Sequence, residues 1–244
     1  MSGDDGMTMI AIPTNRSVTD VRLTNWLYGI LEEPKGTKPA LMIRHKQPVD
    51  ANRNEIVKTF LSTKHEWLLF LDDDMIPKFD LDKMIGHGKK IVSALTVVMQ
   101  KGVPTPLIMK RVAERKEVLF RTLTVEDLGN DSGSLVNVDG VGTGCLLIHR
   151  EVLEKMKPPW FKFKYTRKGL AVLSEDYYFS EKARALGYDL FVDTRAICGH
   201  AKYVDLYELN KIMYKIASAG RIKVEHIGEE SKIETFSKDV KPDD

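Results

Sequence analysis

Two cysteines in 244 residues, Cys145 and Cys198, are too few for a disulfide framework. Each lies in an apolar, strand-like run, so a buried free thiol and a reducing, cytoplasmic compartment are expected. Charge of one sign is equally scarce. The 37 Lys+Arg and 35 Asp+Glu leave a formal +2, whereas a dedicated nucleic-acid binder carries a strong basic excess. Long apolar runs are missing too. The longest, Trp67–Leu71 and Cys145–Ile148, fall far short of the roughly 20 residues that span a bilayer. The opening Met-Ser-Gly-Asp-Asp-Gly is acidic and polar, unlike the basic start and apolar core of a signal peptide. No internal repeat or low-complexity linker divides the chain, so one domain is expected. What remains is the composition of an ordinary soluble protein with enough residues for one large core.

The order of segments says more. Met9–Ile12 is a short apolar run stopped by Pro13, and Val21–Leu31 carries Val21, Leu23, Trp26, Leu27 and Ile30 at helical spacing. Ala40–Ile43 is a second short run. Asp50 is placed to cap a helix whose stripe is Ile56, Val57, Phe60 and Leu61. Trp67–Leu71 is five apolar residues in a row, the mark of a strand covered on both faces. A short helix over Asp80–Gly88 and a strand over Lys90–Leu95 complete a βαβαβαβ order, which implies a parallel sheet with helices on both sides. The back half is more mixed. Thr105–Lys110, Glu117–Leu123 and Leu135–Val138 read as short strands. Gly142 and Gly144 precede a strong strand, Cys145–His149, and a short helix follows over Val152–Met156. A helix from Ser174 to Leu186 ends at Gly187, a strand covers Asp189–Asp193, and a last helix covers Val204–Ala217. The expected architecture is one α/β domain over residues 7–225, with halves 7–100 and 101–225. Residues 226–244, charged and poor in apolar side chains, read as a flexible tail.

Asp72, Asp73 and Asp74 follow directly on the buried strand Trp67–Leu71. In an open α/β sheet, ligands bind outside the carboxyl ends of the strands. Three carboxylates crowded there repel one another unless a cation or hydrogen-bond donors offset the charge. Asp-x-Asp spacing lets two of them converge on one hard divalent ion, with diphosphate oxygens and water completing its shell. For an arbitrary Asp triplet a solvated, capping turn is the commoner reading. The apolar strand before this one and Met75-Ile76-Pro77 after it argue against that.

A second acidic pair, Glu175-Asp176, opens the helix after Ser174. Acidic residues at a helix start complement its dipole, which is the plainer reading. The loop of small and apolar residues before it, Gly169–Ser174, is suited to lining a pocket, where a carboxylate could take a proton from an acceptor hydroxyl. Of six histidines, His200 has the best setting for a metal or diphosphate contact, following Gly199 just past a strand. His45, near a strand end, is the second choice.

These pieces, in this order, resemble a family 2 glycosyltransferase with the GT-A fold, from Met9 to about Tyr203. The resemblance rests on Ile10-Ala-Ile-Pro-Thr14 at the first strand, Ala51-Asn-Arg-Asn-Glu55 and Leu69-Phe-Leu-Asp-Asp-Asp-Met-Ile-Pro77. Gly142-Thr-Gly-Cys145, Ser174-Glu-Asp176 and Gly199-His200 follow at fitting distances. It implies a Rossmann-like, nucleotide-sugar-binding half over 7–100 and a mixed acceptor-binding half after it. Pro13, Thr14, Arg16 and Arg53 would then lie near the nucleotide, with Asn52, Asn54 and Asp73 beside them. Asp72 would contact the ribose and join the metal site. Asp74 and His200 would hold Mn2+ or Mg2+. Gly142, Thr143 and Gly144 would border the sugar, and Asp176, with Glu175 as neighbour, would be the base of an inverting single displacement.

The sequence departs from that family at Met42–Pro48, which is basic where many members carry an acidic residue that reads the nucleobase. That leaves the base open. Its C-terminal part is short and lacks a membrane helix, which argues against a processive polysaccharide synthase. Two other readings remain. A sugar nucleotidyltransferase would want a Gly-rich basic loop after the first strand, and Pro13–Val18 has no glycine. A non-catalytic nucleotide-sugar-binding protein would not need Asp72, Asp74, Asp176 and His200 together. The acceptor (glycan, protein, lipid or modified nucleic acid) is not named by the sequence. Lys155–Lys168 interleaves basic and aromatic residues. It reads as a lid with Trp160 or Phe161 stacked on a sugar, as a basic groove for a phosphorylated or nucleic-acid acceptor, or as a plain loop with buried aromatics. The helix Val204–Ala217 reads as a packing helix, with contact to a membrane or a second subunit as the other possibility.

Overall fold

A computed structural model describes residues 7–16, 19–32, 34, 38–45, 48–100, 103–112, 119–122, 135–165, 167, 171–203, 205–218, 222–227 and 230–235. Lys46, Lys168 and Gly169 of the sequence argument lie outside these residues. The chain divides into two compact units, Met1–Ala201 and Lys202–Asp244, so the first unit closes one residue after His200 and well before residue 225.

The first unit begins β1 (Thr8–Thr14), α1 (Val21–Glu32), β2 (Ala40–His45), α2 (Val49–Leu61), β3 (Trp67–Leu71), β4 (Met75–Pro77), α3 (Leu81–Ile85) and β5 (Ile91–Gln100). It continues through β6 (Val103–Pro106), β7 (Ile108–Val112), β8 (Leu119–Thr122), β9 (Leu135–Val138), β10 (Gly140–Val141), β11 (Cys145–His149) and α4 (Arg150–Lys155). It ends with β12 (Lys164–Tyr165), β13 (Ala171–Leu173), α5 (Glu175–Ala185) and β14 (Leu190–His200).

Among the described residues the main sheet runs β2-β1-β3-β11-β5-β14-β4, with β6 against β5 and β9 against β14. β1 is parallel to β2 and β3, and β5 is parallel to β14. The expected front-half sheet is interrupted at one place. β11 enters antiparallel between β3 and β5. The apolar run Cys145–His149 carries no signal of direction or neighbour, so its place could not be read locally. Its consequence is positional. Cys145 pairs with Leu71, which sets the segment Gly142–Gly144 beside the carboxyl end of β3.

Alternation along β3 fills two cores. Leu68 and Phe70 join Ile56, Val57 and Phe60 of α2, Val152 and Leu153 of α4, and Phe179 and Ala183 of α5. Trp67, Leu69 and Leu71 face the other way, onto Leu23 and Leu27 of α1 and Leu81 and Met84 of α3. Successive strand side chains point to opposite faces, so a strand covered on both sides must be apolar throughout. Burying each such side chain contributes about 1.5–3 kcal/mol.

Local signals explain the helix ends. Asp80 caps α3 by accepting from the Asp82 N–H, while Asp50 sits one residue inside α2, whose N-cap is Pro48. Cys145 and Cys198 are free and buried. The strand expected over Asp189–Asp193 runs on to His200 as β14, with a bulge between Asp193 and Ile197. In the second unit, α6 (Leu206–Ser218) is followed by β15 (Ile222–Ile227) and β16 (Glu230–Thr235), an antiparallel pair where a tail was expected. Residues 236–244 lie outside the described residues. Among the described residues no helix is long and apolar enough to cross a membrane.

Candidate active site

The parallel strands deliver their carboxyl ends to one side of the sheet, and most of the singled-out residues meet there. A cleft of about 160 Å3 is lined by Pro13, Thr14, Asn15, Arg16, Val49, Asn52, Asp72, Asp73 and Asp74. Pro13 and Thr14 end β1, Val49 and Asn52 open α2, and the triplet follows β3. Asn15 and Val49 were not singled out in the sequence. Flanking a strand end and a helix start is the signal that could have found them.

The three aspartates are held by different sets of partners, with Arg16 common to Asp73 and Asp74. Asp73 accepts from Thr14 Oγ1 at 2.5 Å and lies 3.5 Å from Arg16. This fixes it against the loop after β1. Asp74 meets Arg16 Nη2 at 3.2 Å and His200 Nε2 at 3.4 Å. His200 is the last residue of β14, held across from Met75 of β4, and its Nδ1 contacts the Val97 carbonyl at 3.1 Å. Both side chains of the Asp74–His200 pair are largely buried. Asp72 turns away from them, with its two oxygens 2.9 and 3.1 Å from Arg53 Nη2.

Arg53 is therefore not where the sequence reading put it. It is 3% exposed and faces inward. One nitrogen holds Asp72, and the other reaches Glu175 and Asp176, the latter at 3.1 Å. Asn52, one residue earlier, lines the cleft and donates from Nδ2 to the Arg44 carbonyl at 2.9 Å. Neighbouring helical positions point about 100° apart, so both could not face the nucleotide side.

Two other residues also prove to be structural. Asn54 lies away from the cleft: its Oδ1 accepts from the Trp160 and Phe161 N–H groups, and its Nδ2 donates to the Asp50 and Phe161 carbonyls. Trp160 is 5% exposed, and its indole N–H donates to the Leu153 carbonyl at 2.8 Å. Phe161 stacks on Phe179 at 5.0 Å and meets Phe70 edge-on. The aromatics expected to stack on a sugar belong to the core under α5, because burying them stabilises more than a solvated lid would.

Asp176 is held from two sides, by Arg53 and by Thr143 Oγ1 at 2.5 Å. A Cβ at Gly142 would stand 3.9 Å from Asp176 Oδ2 and run into Leu107, and one at Gly144 would stand 3.4 Å from Asp72 Oδ2 and run into Met75. The Gly142-Thr143-Gly144 segment thus passes close to both carboxylate groups. The Asp176 side chain is 23% exposed against 8% for Glu175.

Electrostatics separates these groups. Burial works against the Arg53 charge, and Asp72, Asp176 and Glu175 outweigh it, so the guanidinium is held above its usual range. Burial pushes Asp72 up, with Arg53 opposing and Asp176 and Asp74 adding to the rise. Burial and then the adjacent Asp176 push Glu175 up to about 7, against Arg53. Burial, together with crowded like charge around one cation, holds the Asp72 and Glu175 carboxyls above their usual range.

Among the described residues no group of three His, Cys, Asp or Glu converges as a ready metal cage. Asp74 and His200 supply two donors at one point. Mg2+ and Mn2+ accept such a partial set, completed by phosphate oxygens and water. Asp72 is committed to Arg53 and does not join them.

No family model and no curated protein matches the chain. Solved structures do. A197 from STIV aligns with 82% of this chain and 86% of its own, at a TM-score of 0.55 and 21% identity. GalNAc-T7, crystallised with UDP, GalNAc and Mn2+, aligns with 84% of this chain and 45% of its own, at a TM-score of 0.50 and 11% identity. The fold is GT-A, a mixed α/β domain on a mostly parallel sheet.

Proposed function

We propose that the chain is a metal-dependent glycosyltransferase of the inverting kind, moving a sugar from a nucleoside-diphosphate donor to an acceptor hydroxyl. One observation carries this reading. Asp74 meets His200, Asp72 and Asp176 share Arg53, and Thr14, Arg16, Asn52 and the Asp triplet line a single cleft. The neighbour crystallised with UDP, GalNAc and Mn2+ supports it at the level of fold.

Thr14, Arg16 and Asn52 bind the nucleotide diphosphate in this reading. Asp74 and His200 would hold Mn2+ or Mg2+, which offsets charge on the leaving diphosphate when bound. The chain's own part is to position and to take a proton. Asp176 accepts the proton of the acceptor hydroxyl as that oxygen attacks the anomeric carbon. Thr143 and Arg53 fix its orientation, and the lower exposure of Glu175 leaves it beside the reacting groups, not among them. Positioned proton transfer of this kind contributes about 10²–10⁴-fold.

A thermal-shift panel of nucleoside diphosphates and nucleotide sugars, with and without Mn2+, tests the reading. A ligand bound to the folded state raises its apparent stability. A Mn2+-dependent rise with a diphosphate nucleotide is expected. A response to triphosphates alone would point to a nucleotidyltransferase, and no response would overturn the assignment.

A further inference from the structure

A second, larger cleft of about 740 Å3 shares no lining residue with the donor cleft. It opens beside the β14 bulge, between Lys78-Phe79-Asp80 and Asp193–Ala196. Lys78 follows β4 and Asp74 precedes it. Four residues along the chain separate Asp74 of the donor cleft from Lys78 of this one.

Three kinds of group meet in this cleft. Lys78, Lys83 and Arg195 bring cations, and all three are exposed. Among the described residues Lys78 and Lys83 pair with no carboxylate, and the nearest to the Arg195 guanidinium is Asp193 at 3.6 Å. Trp26 and Phe79 form a tilted aromatic pair with centroids 6.1 Å apart, each half-buried. Asp193 and Asp80 add carboxylates to the wall. Asp193 is 4% exposed and oriented by His87 Nε2 at 2.6 Å and by the Arg195 N–H at 2.9 Å.

Cations alone would suit any anion. Fixed carboxylates repel a bare phosphate but accept hydrogen bonds from hydroxyls. Aromatic faces suit the apolar side of a ring, and the volume is that of a small-molecule site. We propose that this cleft binds an anionic saccharide, a sugar bearing a phosphate or carboxylate. Lys78, Lys83 and Arg195 hold the acidic group, Trp26 and Phe79 pack on the ring, and Asp80 and Asp193 accept its hydroxyls. The proposal stands without the glycosyltransferase reading, since binding needs no donor.

Fluorescence offers a local reporter. Trp67 and Trp160 are 8% and 5% exposed, which leaves Trp26 as the tryptophan that a ligand can touch. Titrating the full chain with glucose 6-phosphate and with glucuronate should give saturable fluorescence changes, matched by calorimetry. Glucose, inorganic phosphate and uridine monophosphate should bind at least about tenfold more weakly. Lys83→Gln and Arg195→Gln should each weaken glucose 6-phosphate binding about three- to tenfold, the loss of one charge-assisted hydrogen bond. Trp26→Phe should remove the optical signal while calorimetry still reads binding. Both cations are exposed, so an unchanged circular dichroism melt should accompany each variant. No saturable binding up to about 1 mM, equal binding of inorganic phosphate, or full binding by the Lys83→Gln/Arg195→Gln double variant would each overturn the proposal.

Discussion

Two acidic clusters face each other across Gly142–Gly144, and they manage their charge in opposite ways. In the triplet the charge is spread over several groups: Asp72 has Arg53, Asp73 and Asp74 share Arg16, Asp73 also has Thr14 and Asp74 also has His200. Glu175 and Asp176 share with Asp72 the one buried guanidinium of Arg53. Several partners let the triplet line an open cleft. A single shared guanidinium ties the second cluster into one electrostatic unit. In a low-dielectric site, removing one member of such a unit costs more than any pairwise distance suggests.

The comparison breaks most visibly at Arg53. Arg53→Met should destabilise the chain by about 3–5 kcal/mol, because it leaves carboxylates buried without compensation. Urea unfolding measures this. Arg16→Met, which removes a half-exposed partner of Asp73 and Asp74, should cost under about 1 kcal/mol. Equal losses in the two variants would erase the distinction between the clusters. Next comes the base. Asp176→Asn keeps the Thr143 and Arg53 contacts and should lower the transfer rate about 10²–10⁴-fold, while the thermal response to donor nucleotide stays within a degree or so of wild type. Transfer at a normal rate would remove Asp176 from the reaction.

Where the fold was legible, chain direction did the work. An apolar strand followed at once by carboxylates puts those carboxylates at a strand's carboxyl end, and that end is where a parallel sheet binds ligands. The triplet was placed by this logic, and Pro13, Thr14 and Asn52, which the family resemblance set near it, line the same cleft. Arg53 was placed near the nucleotide by the family resemblance, but a one-residue step on a helix from Asn52 turns the side chain from cleft to core. Trp160 and Phe161, flanked by lysines, resemble a surface loop, and nothing local shows that they pack on Phe70 and Phe179. The larger cleft could not be read at all. Lys78, Lys83 and Arg195 come from segments more than a hundred residues apart and are joined by a sheet ladder that no motif encodes.

A smaller effect sharpens the metal side. Asp74→Ala and His200→Ala should each weaken Mn2+-dependent nucleotide binding about tenfold or more, near 1.4 kcal/mol, with Mn2+-independent binding little changed. Asp72→Ala should behave differently. Its carboxylate belongs to Arg53, so its loss should change stability and its pH dependence more than the Mn2+ requirement. Titration calorimetry with and without the metal separates the two patterns. A Mn2+ requirement intact in both Asp74→Ala and His200→Ala would remove the metal pair.

A pH scan tests the shared cluster directly. In the folded chain Glu175 keeps its proton up to about pH 7, while in the unfolded chain it ionises near 4.5. Between those values the unfolded state has released a proton that the folded state retains, so stability falls as pH rises and then levels above about 7. Glu175→Gln has no such proton to lose and still offers Arg53 an amide oxygen. Its stability relative to wild type should therefore rise from pH 4.5 to pH 8 by an amount on the order of 2 kcal/mol. Parallel curves for Glu175→Gln and wild type would mean that Arg53 neutralises its three carboxylates independently, and that the second cluster differs from the triplet in geometry but not in charge.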